Sequence, residues 1–447
     1  MSSAERKQTR PKVKMRKIMA HRNFSKAGLR QLPQLLIFSF SHFLIFSIFF
    51  SFSHSLHAQE NRIFSEDIRS LQVSVDGNTL VPPIIVMGKH QHFSVEFDEM
   101  SHDYHRLVYH IEHCNADWTV TEGLFESDYL AGFNDQPIED YENSFNTTQL
   151  YTHYRLRLPN PETQMRLSGN YRVTVFDDDD RDNPLLKAEF CIVEPTMSIN
   201  SSVSGNTDID FNQQHQQLTF GVSYGANRVV DPLRELHTVV MQNRRQDNRV
   251  VDLSPNIQKS TGIEFTHQRA LIFPAGNEFH KFEILDINKP GLNVDNMRWY
   301  EPYHHATLFA DRPARNYVYD EDQNGAFVMR NDNDDEDDAT TSEYLWVHFI
   351  LQTGQKLDGG DIYLYGQWAN GPQDPQCRME WNDETHQYEA AVYLKQGYYN
   401  YQYLQENAPS PDGNFFQTEN EYIILVYHRP QGSRYDKLVG YQRIISK

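Results

Sequence analysis

The sequence predicts an all-β protein made of several β-sandwich domains. Apolar residues occupy every second position in short segments, such as Val73 and Val75, and Phe93, Val95 and Phe97. A period of two places these side chains on one face of a half-buried strand. No window of twelve or more residues after position 59 repeats apolar residues at helical spacing. Strands therefore account for the patterned part of the chain.

Turn-forming residues separate the patterned segments, for example at Met87-Gly88 and at Gly169-Asn170. Glycine and asparagine accept a positive φ at the least cost, so such pairs mark the points where the chain reverses. Many short strands with frequent turns are typical of sandwiches. We therefore expect tandem immunoglobulin-like β-sandwich domains.

A secretory signal peptide is predicted at residues 1–58. Residues 1–30 contain ten Lys or Arg against one acid, Glu5, and an apolar run follows at residues 35–50. That order is typical of a signal peptide. Cleavage after Ala58 would leave Gln59 as the first residue of the mature chain. The alternative is an uncleaved anchor, but the apolar run is shorter than the ~20 residues that a spanning helix needs.

The mature sequence is strongly acidic. Loss of residues 1–58 leaves 31 basic and 60 acidic residues, so the net charge changes from −20 to −29. Such a chain is repelled by phosphate backbones and by anionic lipid surfaces. We therefore expect no nucleic-acid partner and no direct membrane insertion of the mature chain.

Three cysteines, Cys114, Cys191 and Cys377, are too few for a disulfide-stapled scaffold in a chain of this length. One of them must stay unpaired in a monomer. Two alternatives remain for the others: a bridge between Cys114 and Cys191, or separately buried thiols.

Residues 59–447 exceed what one sandwich core usually holds, so several domains are expected. An apolar segment at 190–193 gives way to Glu194, Pro195 and a polar stretch. A second change is the acidic run NDNDDEDD at residues 331–338, which cannot bury apolar area and repels itself into an extended form. The predicted domains are 59–194, 195–338 with an acidic linker at its end, and 339–447.

Two acidic segments could bind a cation. Asp320, Asp322, Asn324 and Gly325 have the spacing of the first half of a calcium loop, but Asn331 stands where a bidentate Glu is needed. A β-hairpin turning at Asn324-Gly325 is the favoured alternative, with Tyr317 and Tyr319 before the turn and Phe327 and Met329 after it. The run Asp177 to Asp180, followed by Arg181 and Asp182, is interpreted as a solvated loop between strands.

No catalytic residue is predicted. The sequence has no G-x-S-x-G, Walker loop, G-x-G-x-x-G, H-E-x-x-H or C-x-x-C motif. His113 and Cys114, with Asp117 nearby, resemble a thiol nucleophile and its base. Adjacent residues of a strand point to opposite faces, however, so their side chains should not meet. Core packing with Tyr109 and Trp118 is the favoured interpretation.

Five sequence motifs, in the same order along the chain, carry a resemblance to a known family. They are YHIEHCNADW at 109–118, SFNTTQLYTHYRLRLPN at 144–160, SGNY at 168–171, LKQGYYNYQY at 394–403 and FFQTENEYIILVYHR at 415–429. Together they resemble the type 9 secretion system plug proteins of Bacteroidetes, over residues 68–439. The resemblance implies a non-enzymatic periplasmic protein, associated with the outer membrane and without a cofactor. It would dock on the giant outer-membrane translocon barrel and plug its periplasmic opening when the barrel is idle.

A second resemblance covers the last predicted domain. IYLYGQWANG at 362–371 and YEAAVYLKQGYYNYQY at 388–403 resemble the early-set modules of glycogen-binding and isoamylase-type proteins. Such modules stack exposed Trp pairs on sugar rings, and Trp368 and Trp381 are the candidates here, with Tyr363, Tyr365 and Tyr399 assisting. Core packing of these aromatics is the favoured alternative. A glycan-binding protein is therefore the second functional hypothesis, although no small-molecule ligand is expected under the first.

Overall fold

The residues that alternate in the sequence lie in strands, as predicted. A computed structural model describes residues 61–332 and 337–446. The predicted signal peptide and its cleavage point after Ala58 lie outside the described residues. The fold class predicted from the sequence, all-β with tandem sandwiches, is confirmed.

The first sandwich contains the elements β1 (Arg62–Ile63), β2 (Ile68–Val75), β3 (Ile84–Val86), β4 (Phe93–Glu99), β5 (Leu107–Cys114), α1 (Glu126–Tyr129), β6 (Leu130–Gly132), β7 (Gln136–Pro137), β8 (Asp140–Asn143), β9 (Thr152–Leu158), β10 (Thr163–Met165), β11 (Gly169–Asp177) and β12 (Asp180–Val193). One sheet has the order β1-β12-β11-β5-β7 with β3 on β12, and the other has the order β2-β4-β9-β8. Their facing sides form one core, in which Phe93 contacts Phe190 and Tyr171 stacks on Phe190.

The next elements are β13 (Ser198–Ser204), β14 (His215–Ser223), α2 (Pro232–Glu235), β15 (Leu236–Gln242), β16 (Val250–Val251), β17 (Ile257–Lys259), β18 (Gly262–Phe265) and β19 (Ile272–Pro274). They supply one complete sheet, β13-β14-β18-β17 with β19 on β14, and two strands of a facing sheet. The second sandwich is therefore incomplete at this point of the chain.

The third sandwich follows with β20 (His280–Ile284), β21 (Val294–Tyr300), β22 (Tyr303–Leu308), β23 (Phe327–Met329), α3 (Asp338–Thr341), β24 (Tyr344–Leu351), β25 (Ile362–Tyr365), β26 (Arg378–Asn382), β27 (Gln387–Lys395) and β28 (Gly397–Gln405). These strands form a continuous sheet of order β20-β28-β25-β26-β27-β24-β22-β21, with β23 on β28. It encloses its own core, where the rings of Phe282 and Phe349 meet edge to face at 5.6 Å.

The last two strands, β29 (Glu421–His428) and β30 (Lys437–Ile445), return to the second sandwich. They complete its facing sheet in the order β16-β15-β29-β30. Every residue of β29 is buried. Ile424 lies in the core of the second sandwich, whereas its neighbour Leu425 lies in a cluster with Trp118 of the first sandwich. The sheet is thus covered on both faces.

The pairing of strands does not follow the boundary predicted at residue 338. β22 precedes the acidic run and pairs in parallel with β24, which follows it. β15 lies in the predicted second domain and pairs with β29 of the predicted third. Composition marks where the chain is solvated, but pairing partners distant in sequence decide which strands share a sheet. Strands on both sides of the run at 331–338 therefore belong to the same sheet, which does not fit a domain boundary at this point.

All described residues belong to one compact unit. The helices α1, α2 and α3 have four residues each, and no helix among the described residues could cross a membrane.

Candidate functional site

His113 and Cys114 are buried structural residues near the end of β5. Nδ1 of His113 lies 2.8 Å from Oγ1 of Thr121, and its Nε2 lies 3.2 Å from the carbonyl oxygen of Ser168. Cys114 instead belongs to an apolar cluster that includes Trp118. The two side chains do not form a pair, as the alternation of the strand predicts.

The electrostatics of this segment also oppose nucleophilic chemistry. Burial lowers the pKa of His113 to about 4, and burial raises the pKa of the Cys114 thiol to about 12. At neutral pH the imidazole and the thiol are both uncharged. Asp117 is exposed, and its Oδ1 accepts a hydrogen bond of 3.0 Å from the backbone N–H of Thr119. It supports a turn and does not activate a base.

The three cysteines are buried free thiols. Cys114 and Cys191 both lie opposite Asn170, on the strands either side of β11. Two strand spacings separate their Cα atoms by about 10 Å, beyond the roughly 7 Å that a disulfide allows. Cys114 and Cys191 are therefore separately buried thiols and do not form a disulfide bridge. Cys191 Sγ donates to Oδ1 of Asn170 at 3.3 Å.

The half-motif of a calcium loop does not gather its oxygens around one point. Asp320 pairs with the ammonium of Lys281 at 2.6 Å. Oδ1 of Asp322 accepts from the backbone N–H of Asn324 at 2.7 Å, and its Oδ2 accepts from the backbone N–H of Phe279. Burial raises the pKa of Asp322 to about 7. Within the described residues, no group of three or more His, Cys, Asp or Glu side chains could hold a metal ion.

The hairpin predicted at Asn324-Gly325 is wrong, although the turn itself is present. Both residues have a positive φ, 50° and 85°. Residues 317–319, however, form no strand, and β23 after the turn pairs with β28. The strand that pairs with β23 lies some seventy residues downstream, and a turn signal in the local sequence cannot predict so distant a partner.

The run at Asp177 to Asp180 is a tight connection between β11 and β12, in which Asp177 pairs with Asp180. Asp178 forms ion pairs with Arg106 at 2.9 Å and with Arg181. The prediction of a solvated connection between strands agrees with this geometry.

The aromatic residues suggested for glucan binding pack against the core of the third sandwich. Trp368 donates from Nε1 to the carbonyl oxygen of Asn400 at 2.8 Å, and Trp381 donates to Oδ1 of Asp383 at 2.7 Å. Both tryptophans contact the apolar cluster of this sandwich and are only partly exposed. The three tyrosines are buried, and they are Tyr363, Tyr365 and Tyr399. These residues present no exposed Trp pair for a sugar ring, so the core interpretation is favoured.

A buried ion pair joins the first and third sandwiches. Nζ of Lys395, at the end of β27, lies 2.6 Å from Oδ2 of Asp98 in β4, and both side chains are fully buried. The hydroxyl of Tyr344 donates to the same oxygen at 2.6 Å, and Nδ1 of His153 lies 2.7 Å from Oδ1. Burial raises the pKa of Asp98, but the Lys395 ammonium and His153 outweigh it and leave the pKa below its ordinary value.

The segment after the acidic run is fixed in the same junction. The hydroxyl of Tyr151 donates to the carbonyl oxygens of Ala339 at 3.1 Å and Ser342 at 2.9 Å. The backbone N–H of Phe145 donates to the carbonyl oxygen of Thr340 at 2.9 Å. The short helix α3 therefore belongs to the contact between the sandwiches.

Arg244 contacts all three sandwiches. Its Nε lies 2.8 Å from Oε2 of Glu421 in the second sandwich, and its Nη2 donates at 2.6 Å to the carbonyl oxygen of Leu80 in the first. Nη1 donates at 3.2 Å to Oε1 of Gln367 in the third. A guanidinium suits this position because its donors diverge in a rigid plane. We call Arg244 and the Asp98–Lys395 pair the junction residues.

Sequence reasoning missed the junction residues. Nothing in their local sequence marks Arg244 or Lys395 as buried, because the charged partners Glu421 and Asp98 lie 177 and 297 positions away. One signal was available for β29: the unbroken apolar run from Tyr422 to Tyr427 indicates a strand buried on both faces.

Comparison with known proteins identifies a family model and solved structures that match this chain. The model of the type 9 secretion system plug protein first domain matches residues 68–194. A crystal structure of a hypothetical protein from Parabacteroides merdae ATCC 43184, at 2.30 Å resolution, is 40% identical, with a TM-score of 0.83 over 87% of this chain and 100% of that chain. No curated protein matches the chain.

The matched first domain coincides with the first sandwich, and the solved relative extends the likeness across the other two. Plug proteins are structural components of type 9 secretion, which gives this chain a role in that system. This chain belongs to the type 9 secretion system plug protein family.

Proposed function

We propose that this protein docks at the periplasmic opening of the giant outer-membrane barrel of the type 9 secretion system and closes it when no cargo occupies the channel. It acts in the periplasm, associated with the outer membrane, and it catalyses no reaction. Membership of the plug family is the observation that carries this proposal.

The architecture supports the role of a stopper. A pore wide enough for folded cargo would breach the permeability barrier, so an idle pore needs a bulky body that does not deform. Here the junctions between sandwiches are buried, and their charges are paired. Removing one partner of such a pair is costly because the other charge stays buried without compensation. Relative motion of the sandwiches is therefore opposed.

Deletion of the gene tests the proposal. We expect the deletion strain to admit large antibiotics that the outer membrane normally excludes, while secretion of cargo continues. The leak should disappear when the barrel gene is deleted as well, because a stopper has no effect without its pore.

Complementation with the wild-type gene is the control, and it should restore exclusion of the antibiotics. A deletion strain that stays impermeable, or a leak that persists without the barrel, would refute the proposal. A growth defect on polysaccharide without any leak would point to the glycan-binding hypothesis.

A further inference from the structure

Strand β13 leaves one edge of the second sandwich open. It spans Ser198–Ser204 and, among the described strands, pairs only with β14. The register with β14 is continuous over all seven residues, and the strand contains neither a charged residue nor a proline. An open edge offers unpaired N–H and C=O groups to another strand, and proteins usually protect it with charge, proline, a bulge or short length. β13 has none of these protections.

The other open edges of the described sheets are protected. Edge strands of two or three residues are too short to template a long pairing. Every longer one carries a charged side chain, and examples are Arg69 in β2, Asp140 in β8, Lys281 in β20, Asp295 in β21 and Lys437 in β30. The unprotected edge is thus particular to β13 among the strands that the structure describes.

The side chains of β13 leave the approach to this edge clear. Ile199 and Val203 pack against the core of the second sandwich and hold the strand in place. The exposed positions carry only small polar side chains, and they are Ser198, Asn200, Ser202 and Ser204. Nothing large or charged on the strand itself would obstruct an incoming strand.

An exposed apolar pair lies in the loop that connects β13 to β14. Ile209 is 53% exposed and Phe211 is 66% exposed. A bridge between Asn206 and Phe211 fixes the loop, and the backbone N–H of Asn212 donates to the carbonyl oxygen of Gly205 at 2.9 Å. Large side chains held in solvent in the loop that follows an open edge strand offer a partner apolar contact in addition to main-chain hydrogen bonds.

The two acidic side chains that flank Ile209 each contact a histidine. Oδ1 of Asp208 lies 2.9 Å from Nδ1 of His267, and Oδ2 of Asp210 lies 2.7 Å from Nδ1 of His215. A second copy of the chain would bring a net charge of −29 against another −29 at close range. Charge therefore favours an uncharged or basic segment of a different protein as the occupant.

We propose that β13 is the docking strand. An extended, uncharged or basic segment of the outer-membrane barrel adds to its open edge as a further strand, and a large apolar side chain of that segment covers Ile209 and Phe211. Main-chain hydrogen bonds supply affinity, and the apolar contact selects the segment. This inference rests on the proposed function, which names the barrel as the partner.

The test measures how much barrel the immobilised mature protein retains from detergent-solubilised outer membranes. Two variants, Ser201→Pro and Ser202→Pro, remove adjacent N–H groups, which point to opposite sides of the strand. One of the two prolines therefore removes an N–H group on the open side and leaves the hydrogen bonds to β14 intact. This variant is recognised by a melting temperature close to that of the wild type. Phe211→Asp is the third variant, and Phe125→Asp is its matched control, because Phe125 is 75% exposed on the first sandwich.

We expect the stable proline variant and Phe211→Asp to retain at least tenfold less barrel than the wild type, and Phe125→Asp to retain as much. If the stable proline variant and Phe211→Asp, here called the edge variants, both retain as much barrel as the wild type, the inference is overturned while the proposed function stands. If the wild type itself retains no barrel, the proposed function fails, and the docking strand fails with it. A wild-type dimer in light scattering that both edge variants convert to a monomer would identify the occupant as a second copy and overturn the barrel segment.

Discussion

At the level of single residues, the ion pair between Asp98 and Lys395 is the clearest source of rigidity between the first and third sandwiches. We predict that Lys395→Met destabilises the protein by about 3 to 5 kcal/mol, because it leaves a buried carboxylate without its counter-charge. Chemical denaturation followed by tryptophan fluorescence measures the change in the free energy of unfolding.

The control for this prediction is the double variant Asp98→Asn with Lys395→Met, which removes both charges. Replacing a whole buried pair is often close to neutral, so the double variant should recover much of the lost stability. A double variant no more stable than Lys395→Met would show that shape, and not the unpaired charge, determines the cost.

His280 provides a pH dependence of stability. Its Nδ1 lies 3.2 Å from Oδ1 of Asp311, and its Nε2 lies 2.9 Å from Oδ1 of Asp412. Burial lowers the pKa of His280, but Asp412 and Asp311 outweigh it and raise the pKa well above its ordinary value. A raised pKa in the folded state stabilises the protein fully below the unfolded value of about 6.5. That stabilisation is lost as pH rises through the folded pKa.

We therefore predict that His280→Gln costs more stability at pH 6 than at pH 9, as measured by urea denaturation at both values. The matched control is His267→Gln, because His267 is an exposed partner of Asp208 on the surface. An equal loss at pH 6 and pH 9 for His280→Gln would contradict the assignment of a charged imidazole between the two aspartates.

At the level of elements, local sequence patterns predicted strands but not their partners. Val73 and Val75 lie in β2, and Phe93 and Phe97 lie in β4, because alternation depends only on near neighbours. The partner of β15 is β29, far along the chain, and no local signal encodes that choice. The same reason explains why the hairpin at Asn324-Gly325 and the boundary at 338 fail, and why Lys395 and Arg244 could not be recognised as junction residues.

The pairing of β22 with β24 across the acidic run leads to a prediction about cleavage. A protease site inserted in place of residues 333–336 would cut the chain between two strands of one sheet. We predict that the two fragments stay together in native gel filtration after complete cutting, because β24 and β28 hold β22 and β23 by main-chain hydrogen bonds. Denaturing electrophoresis confirms the cut.

The control is a site inserted among residues 59–61, where cleavage should release only a short peptide. If the fragments cut at 333–336 elute separately without denaturant, the run would be a linker between independent domains, as its composition suggested.

At the level of the whole molecule, three sandwiches share their covering surfaces. The sheet β16-β15-β29-β30 serves the second core with one face and contacts the first sandwich with the other. Arg244 binds all three sandwiches at one point. Bulk and stiffness, the properties that a stopper needs, arise from these shared surfaces and not from the size of any single sandwich.

The interrupted second sandwich also sets an order of assembly in time. Synthesis delivers the chain from its amino end, so β13 to β19 appear early and must wait for β29 and β30, while the whole third sandwich emerges in between. Domains usually fold as they become complete. A truncated product would lack the strand that covers two cores and would expose apolar surface to proteases. Only a chain translated through residue 445 can complete the second sandwich, so under the proposed function the fold acts as a check on completeness before the pore is occupied.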